Sequence, residues 1–360
     1  AYARVSDVLV RERPDEPVYC LFPERYRQAA ASFVDAFPGR VLYAVKANDH
    51  PVVLQALHAG GVRHFDCASL AEVEAVRKHC PGATPYFMIP VRRRGAASAA
   101  FHGYGVRHFM IDQEAGLDAL LAEVPAAGNM IFVRVVAHHQ SAAQDLSSKF
   151  GAPPDEAVAL LRRVAQAGAE PALACNVGSS VLDPEAYAHA VAVVGQVLGA
   201  AGVPVRLVDI GGGFPRAYPG FEVPPLADYF DAIHRAIGAL PAATGREWLC
   251  EPGRALAAPG MGALVEVLAR RGDRLYLNDG MYGVFWELRF GMHERYAVRC
   301  WRADGEPLGQ GAHGVNASFV LFGPTCDSTD VLPAPVRLPA DIAPGDYLEF
   351  GQLGAYSLSG

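Results

Sequence analysis

Leu42-Tyr43-Ala44-Val45-Lys46-Ala47-Asn48 reads as a short apolar strand that ends on a lysine; the chain then turns polar and opens a helix at Pro51-Val52-Val53-Leu54. A cation at the end of a buried strand is unfavourable, because desolvation disfavours the charged form. The same desolvation lowers the amine's pKa and makes it a nucleophile suited to Schiff-base chemistry. A lysine that merely snorkels to the surface would look the same in this stretch. The flanking sequence has to decide.

Outward from this unit the pattern repeats. Strand candidates follow at His64–Cys67, Tyr86–Ile89, His108–Ile111, Ile131–Val136, Leu173–Val177, Leu207–Ile210 and Leu249-Cys250. Helices separate them. After Pro153-Pro154-Asp155-Glu156, apolar residues at Val158, Leu161 and Val164 keep helical spacing, as do Tyr187, Val191, Val194 and Leu198 after Pro184-Glu185. Eight strands alternating with helices predict a (β/α)8 TIM barrel over residues 25–252, beginning with a helix from Arg25 to Phe37. A doubly wound sheet would also alternate, but no motif has the dinucleotide-binding spacing.

From Glu251 onward helical periodicity fades. Short Val/Leu/Tyr/Phe segments between Gly, Pro and Asp take over at Gly262–Val267, Arg274–Leu277, Tyr296–Arg302, Ser318–Phe322 and Asp346–Phe350. They predict a C-terminal all-β domain, a β-sandwich or β-barrel, over residues 253–360. A strand at Val18–Phe22, within the first 24 residues, is expected to join that domain.

Composition narrows the class. The chain has 360 residues, 51% hydrophobic and 19% charged, which suits an ordinary globular enzyme. A net charge of −7 argues against nucleic-acid binding, and the basic run Arg92-Arg93-Arg94 reads as a solvated loop. Seven scattered cysteines without a Cys-x-x-Cys pair indicate neither a zinc site nor a disulfide framework and fit a reducing cytoplasm. No apolar run reaches membrane-spanning length, and no signal peptide is evident. The chain opens at Ala1 rather than methionine, so a few leading residues are expected before it.

In such a barrel, functional side chains sit at the C-terminal ends of the strands. Lys46 is there, as are Asp66, the stretch Asn176-Val177-Gly178-Ser179-Ser180, and Asp209-Ile210-Gly211-Gly212-Gly213-Phe214-Pro215. Three glycines allow close backbone approach to an anion, although such runs are often plain tight turns. Glu251-Pro252-Gly253-Arg254 follows the last strand; its Arg could hold phosphate, or pair with the Glu as a structural salt bridge. A strand-end lysine, a phosphate cradle and a strand-end carboxylate together describe a pyridoxal 5'-phosphate site.

At this point the chain resembles the fold-type III pyridoxal phosphate decarboxylases, the ornithine, diaminopimelate and arginine decarboxylase group. The matches run in order over nearly the whole chain. They are Tyr43-Ala44-Val45-Lys46-Ala47-Asn48, Phe65-Asp66-Cys67-Ala68-Ser69, Lys149-Phe150-Gly151, Val177-Gly178-Ser179, the glycine run to Pro215, and Glu251 to Arg254. Further on come Asn278-Asp279-Gly280-Met281-Tyr282-Gly283, Gly323-Pro324-Thr325-Cys326-Asp327-Ser328 with Asp330, and Gly345-Asp346 through Gly354-Ala355-Tyr356. The Cys-Asp-Ser pattern is nearest the ornithine type.

The resemblance implies roles. Lys46 would be the Schiff-base lysine, with Asp66 and Glu72 in its network and Arg134 and Lys149 nearby. Ser179, Gly211, Gly212, Gly213, Arg254 and Tyr356 would hold phosphate, and Glu251 the pyridine nitrogen. Cys326 would protonate the carbanion after carbon dioxide leaves, while Asp327, with Tyr282 in the neighbouring motif, would read the distal end of the substrate. The family's shared, head-to-tail homodimer site would put Cys326, Asp327 and Asp330 beside the partner's Lys46, with Lys149 meeting Asp330. A carboxylate at the ring nitrogen favours decarboxylation over racemisation, because the related racemases place an arginine there.

Two departures stand out. Asn176 occupies the place of the family's ring-stacking histidine, with Cys175 and His138 or His139 as possible compensation. Gly291 falls where ornithine decarboxylases carry a distal acid, and Arg289 lies close by, which points to a larger or partly anionic distal group unless Glu287 or Glu294 shifts in. The chain also stops soon after Tyr356, where relatives often continue. The expected activity is decarboxylation of an ornithine- or lysine-like amino acid. The alternative is a modified one such as citryl-diaminopropionate in siderophore assembly. Diaminopimelate decarboxylation, racemisation and a non-catalytic regulator of the antizyme-inhibitor kind rank lower, because Lys46, the glycines, Glu251, Arg254 and Cys326 are all present.

Overall fold

A computed structural model describes residue 2 and residues 4–137, 142–144, 149–241, 245–290, 296–309 and 315–358. The chain divides into two units, one made of Tyr26–Arg216 and Val223–Leu256, the other of Ala1–Arg25, Ala217–Glu222 and Ala257–Gly360.

The first unit is a closed barrel of eight strands: β1 (Arg40–Ala44), β2 (His64–Cys67), β3 (Thr84–Phe87), β4 (His108–Ile111), β5 (Met130–Arg134), β6 (Glu170–Ala174), β7 (Leu207–Asp209) and β8 (Glu247–Cys250). Neighbours pair in parallel all the way round, and β8 closes on β1 through Leu249 opposite Arg40 and Cys250 opposite Val41.

Side chains alternate across each strand, so every second residue faces the interior. Leu42, Tyr86, Met110, Met130, Phe132, Ala172, Leu207 and Leu249 form the packed centre. At the N-terminal end this core becomes polar: Arg40 donates to Tyr86 Oη at 3.0 Å and to Glu247, and His108 stacks on Tyr86 at 3.9 Å. At the other end, counting two residues onward from Ala174, Leu207 and Leu249 reaches Asn176, Asp209 and Glu251. From Phe132 the same count reaches Arg134, and from His64 it reaches Asp66. The strand period thus lays a ring of polar side chains across the C-terminal face.

Several strands end earlier than expected. The apolar residues Met88, Val135, Cys175 and Val177 are buried without belonging to the ladder; they floor the loops of the C-terminal face. Lys46 likewise sits beyond β1, in a single 3-10 turn, Val45–Ala47, closed by Asn48 N–H onto Val45 O at 3.0 Å. Arg92 is no solvated loop residue, since its guanidinium donates to Ile89 O and Met110 O, each at 2.6 Å. Helices Pro154–Gln166 and Glu185–Ala201 bury Leu160, Leu161 and Val164, and Tyr187, Val191 and Val194, respectively.

The second unit is one eight-stranded mixed sheet. Its longest strand, Met261–Arg271, pairs with Tyr347–Phe350 through Ala263 to Glu266 and with Arg274–Leu277 from Val267 onward, the latter ladder carrying an irregularity between Val267 and Ala269. Val18–Leu21 adds antiparallel to the same long strand. Val298–Trp301, Asn316–Phe322 and two short strands, Pro307–Leu308 and Val336–Pro339, complete the sheet. A helix at Val5–Glu12, not expected from the sequence, packs Val5 and Leu9 against Leu264 and Tyr347.

Candidate active site

Lys46 Nζ donates to Asp66 Oδ2 at 3.0 Å, and Asp66 is almost wholly buried. Behind this pair, Ser69 opens helix Leu70–His79 with its side chain on Glu72 N–H at 3.2 Å, while Glu72 reaches back to Ala68 N–H at 2.9 Å. These two bonds fix Glu72 at the start of the helix, within electrostatic reach of Lys46 and Asp66. Burial pushes the Glu72 carboxyl up to about 7, against the pull of the Ala68 N–H, and Asp66 adds to the rise.

Two strands round the barrel from β1, Gly211 to Gly213 follow β7. Gly211 and Gly213 have φ of +74° and +93°, and a Cβ there would stand 2.5 Å from Cys175 O and 2.8 Å from Gly178 O, respectively. At Gly212 a Cβ would lie 2.6 Å from Glu251 O. The run is therefore glycine because backbone passes backbone on both sides. Tyr187 braces it by donating to Gly212 O at 2.8 Å, and Val181 N–H donates to Gly213 O at 3.0 Å, tying in strand Ser179–Val181. Asn176 does not stand free over this cradle. Its Oδ1 accepts Gly178 N–H at 2.9 Å, and its Nδ2 lies 3.2 Å from where a Cβ on Gly211 would be, so the amide shapes the loop that carries Ser179.

Glu251 and Arg254 are both buried just past β8. Glu251 N–H donates to Gly211 O at 2.8 Å, linking carboxylate and cradle. Its Oε1 finds no donor among the described residues. Burial, and then the neighbouring Asp209 carboxyl, hold Glu251 well above the usual carboxylate range. Three features fit pyridoxal phosphate: a strand-end amine, a glycine cradle with a buried arginine following the next strand, and a buried carboxyl oxygen awaiting a donor such as a pyridinium N–H.

The remaining residues singled out from the sequence lie in the sheet unit. Cys326 and Asp327 are exposed on the loop after Asn316–Phe322. Asp327 accepts from the Tyr282 hydroxyl, from Thr329 N–H at 2.8 Å and from Thr329 Oγ1 at 2.9 Å. These bonds, the tyrosine's foremost, hold its carboxyl below the ordinary value, with help from Arg289. The Arg289 guanidinium lies 4.5 Å from the Tyr282 ring centre and 4.6 Å from that of Trp286. Tyr282, Asp327 and Arg289 are thus brought into one cluster, to which Trp286 and Thr329 are additions the sequence did not flag. Tyr356 adopts φ of +63° near the C-terminus of the same unit.

Asp330 is engaged within its own loop. It is 1% exposed, and accepts Met281 N–H at 2.7 Å, Thr325 N–H at 3.1 Å and Thr325 Oγ1 at 2.7 Å. A carboxylate engaged this way organises its own loop. Lys149 and Arg134 flank the Phe150 ring, at 5.0 Å and 5.7 Å. His138, His139, Gly291 and Glu294 lie outside the described residues; Glu287 is buried.

Residues 22–258 match the family model "Pyridoxal-dependent decarboxylase, pyridoxal binding domain", and residues 223–354 match its "C-terminal sheet domain". Among curated proteins, the lysine/ornithine decarboxylase of Selenomonas ruminantium is 32% identical over 328 residues, covering 88% of this chain and 78% of that protein. Among solved structures, the lysine/ornithine decarboxylase from Vibrio vulnificus complexed with cadaverine aligns with TM-score 0.83 at 30% identity, over 98% of this chain and 92% of that one. The arginine decarboxylase of Paramecium bursaria Chlorella virus aligns with TM-score 0.87 at 26% identity, over 99% and 95%.

Proposed function

The chain belongs to the pyridoxal-dependent decarboxylase family, and we propose that it removes the α-carboxylate of a lysine- or ornithine-like amino acid or a close derivative. The observation that carries this reading is the barrel mouth itself, where the Lys46–Asp66 pair faces a glycine cradle joined by one backbone hydrogen bond to buried Glu251.

Pyridoxal phosphate, when bound, supplies an electron sink for the pair left behind by the departing carboxylate. The chain's own residues do the rest. Asp66 orients the Lys46 amine. The N–H groups of Gly211 to Gly213, the Ser179 hydroxyl and the Arg254 guanidinium hold the phosphate. Glu251 keeps a proton on the ring nitrogen. The Cys326 thiol delivers a proton to the substrate's α-carbon, and in a head-to-tail homodimer the Cys326–Asp327 loop of one copy serves Lys46 of the other.

The distal cluster favours a second reading of the substrate. A site built for an ammonium alone would be weakened by a guanidinium beside Asp327. Arg289, packed on Tyr282 and Trp286, suits a distal group carrying negative charge as well, as in citryl-diaminopropionate, with siderophore assembly as the corresponding pathway. A carbon dioxide-release screen over ornithine, lysine, arginine, diaminopimelate and citrate-conjugated diaminopropionate tests both. Strong turnover of ornithine alone removes the second reading, and no release from any of them removes the first.

A further inference from the structure

Asp209 ends β7 at the inward-facing position two residues beyond Leu207 and pairs in register with inward-facing Leu249 of the adjacent strand; Glu251 stands two residues beyond Leu249, so alternation turns both carboxyls to the barrel interior at successive positions of its mouth. Both close around Gly211: Asp209 Oδ1 accepts the Gly211 N–H at 2.7 Å, and the Glu251 N–H donates to Gly211 O at 2.8 Å. Their side chains lie within hydrogen-bonding reach of each other. Asp209 is wholly buried, and neither its Oδ2 nor Glu251 Oε1 receives a donor from any described group. Two buried carboxylates in contact repel, whereas a carboxylic acid donating to a carboxylate satisfies both oxygens.

We propose that Asp209 is a positioning residue for Glu251, the two sharing a single proton that rests on Asp209 while Glu251, as the anion, faces the ring nitrogen of the cofactor. The O–H of Asp209 fixes the Glu251 carboxylate from behind, and the Gly211 N–H fixes Asp209 in turn. Glu251, the last barrel strand and the phosphate cradle are thereby one hydrogen-bonded assembly. The charged and titratable groups around the pair are Asp66, Lys46, Cys175, Cys250 and, toward Asp209, Tyr86. Burial raises both carboxyls and Lys46 lowers them only in part; the bond between them lowers Asp209 and raises Glu251, so without a cofactor the shared proton lies on Glu251, and a pyridinium N–H facing Glu251 moves it to Asp209. The assignment rests on the cofactor reading for its ring-nitrogen partner but not for the shared proton.

Asp209→Asn keeps a donor toward Glu251, whereas Asp209→Ala does not. Titrating each apoprotein with pyridoxal phosphate, followed by absorbance, should leave the Asn variant within about threefold of wild-type affinity and weaken the Ala variant about tenfold or more. Infrared difference spectra of holoenzyme, wild type minus Asp209→Asn, should show the carbonyl stretch of a protonated carboxylic acid, and the same band should vanish in Glu251→Gln. An Ala variant that binds like wild type, an Asn variant as weak as Ala, or an absent infrared band overturns the proposal. Wild-type protein that takes up no cofactor refutes the cofactor reading instead, and the infrared comparison on apoprotein then judges the carboxyl pair alone.

Discussion

Lys46 Nζ and Asp66 Oδ2 are 3.0 Å apart, yet the lysine side chain is 47% exposed and the aspartate 1%. The amine is open to an incoming aldehyde while its counter-ion is locked in the wall. Lys46→Ala should abolish the absorbance band of bound cofactor. It should also destabilise the protein by about 1–2 kcal/mol, between the values for exposed and buried pairs, because Asp66 loses its cation. An absorbance scan with added cofactor and a denaturant melt check the two effects. A surviving band would mean that another amine binds the aldehyde.

Cys326 is exposed on a loop of the sheet unit. Cys326→Ala should leave the cofactor spectrum and the fold unchanged while slowing correct protonation about 10²-fold or more. Product analysis alongside carbon dioxide release separates a slow reaction from a diverted one. Clean decarboxylation at the wild-type rate would remove the thiol from the mechanism.

Arg289 puts positive charge beside Asp327 without neutralising it, because the Tyr282 hydroxyl and Thr329 keep that carboxylate ionised. Arg289→Ala should therefore raise kcat/KM for ornithine and lysine and lower it for citrate-conjugated diaminopropionate, moving their ratio about tenfold or more. An unchanged ratio would show that Arg289 supports the loop and does not read substrate.

The barrel was readable because its repeat is long and its chemistry falls at strand ends: Lys46, Asp66, the glycines and Glu251 were found by position. Residues whose part depends on tertiary contacts were not. Helix Val5–Glu12 is eight residues long and is set by burial of Val5 and Leu9 on the sheet. Asp209 stands out in the sequence as a carboxylate ending an apolar strand, as Lys46 does, but its part comes from contacts with Gly211 and Glu251 that the sequence does not show. Asp330 and Asp279 stand in family motifs that single them out without saying what they hold. The backbone folded around them, a matter of three dimensions, makes them scaffold.

Acid should act first at the other end of the barrel. His64 and His108 are held down to about 4, chiefly by burial, with Arg40 adding to it. The unfolded chain therefore binds protons that the folded one refuses between the ordinary histidine value near 6.5 and pH 4. Stability from this source is complete above about 6.5 and is lost as pH falls, at most about 1.4 kcal/mol per pH unit for each histidine. Glu72 and Glu251, raised on folding, act oppositely, losing stability as pH rises through the same window. His108→Phe keeps a ring on Tyr86 and should flatten the acid side of a plot of Tm against pH. An unaltered slope would place the acid sensitivity elsewhere.

Gly280 and Gly323 lie against the Asp330 carboxylate so closely that a Cβ on either would overlap its oxygens. Asp330 N–H donates to Asp327 O at 3.0 Å and Gly323 N–H to Asp330 O at 2.8 Å, so the same residue sets the base of the loop bearing Cys326 and Asp327. Asp330→Ala leaves the Met281 and Thr325 N–H groups without their acceptor and should cost about 3 kcal/mol. Gly323→Ala, which forces the carboxylate away, should cost a similar amount while changing no ionisable group. Both variants should lower kcat/KM through loop disorder yet bind pyridoxal phosphate normally, since Lys46, Ser179, the glycine run, Glu251 and Arg254 belong to the barrel and Tyr356 lies outside the Asp330 loop. Full stability in Asp330→Ala, or loss of cofactor affinity in either variant, would show that Asp330 does more than hold this loop.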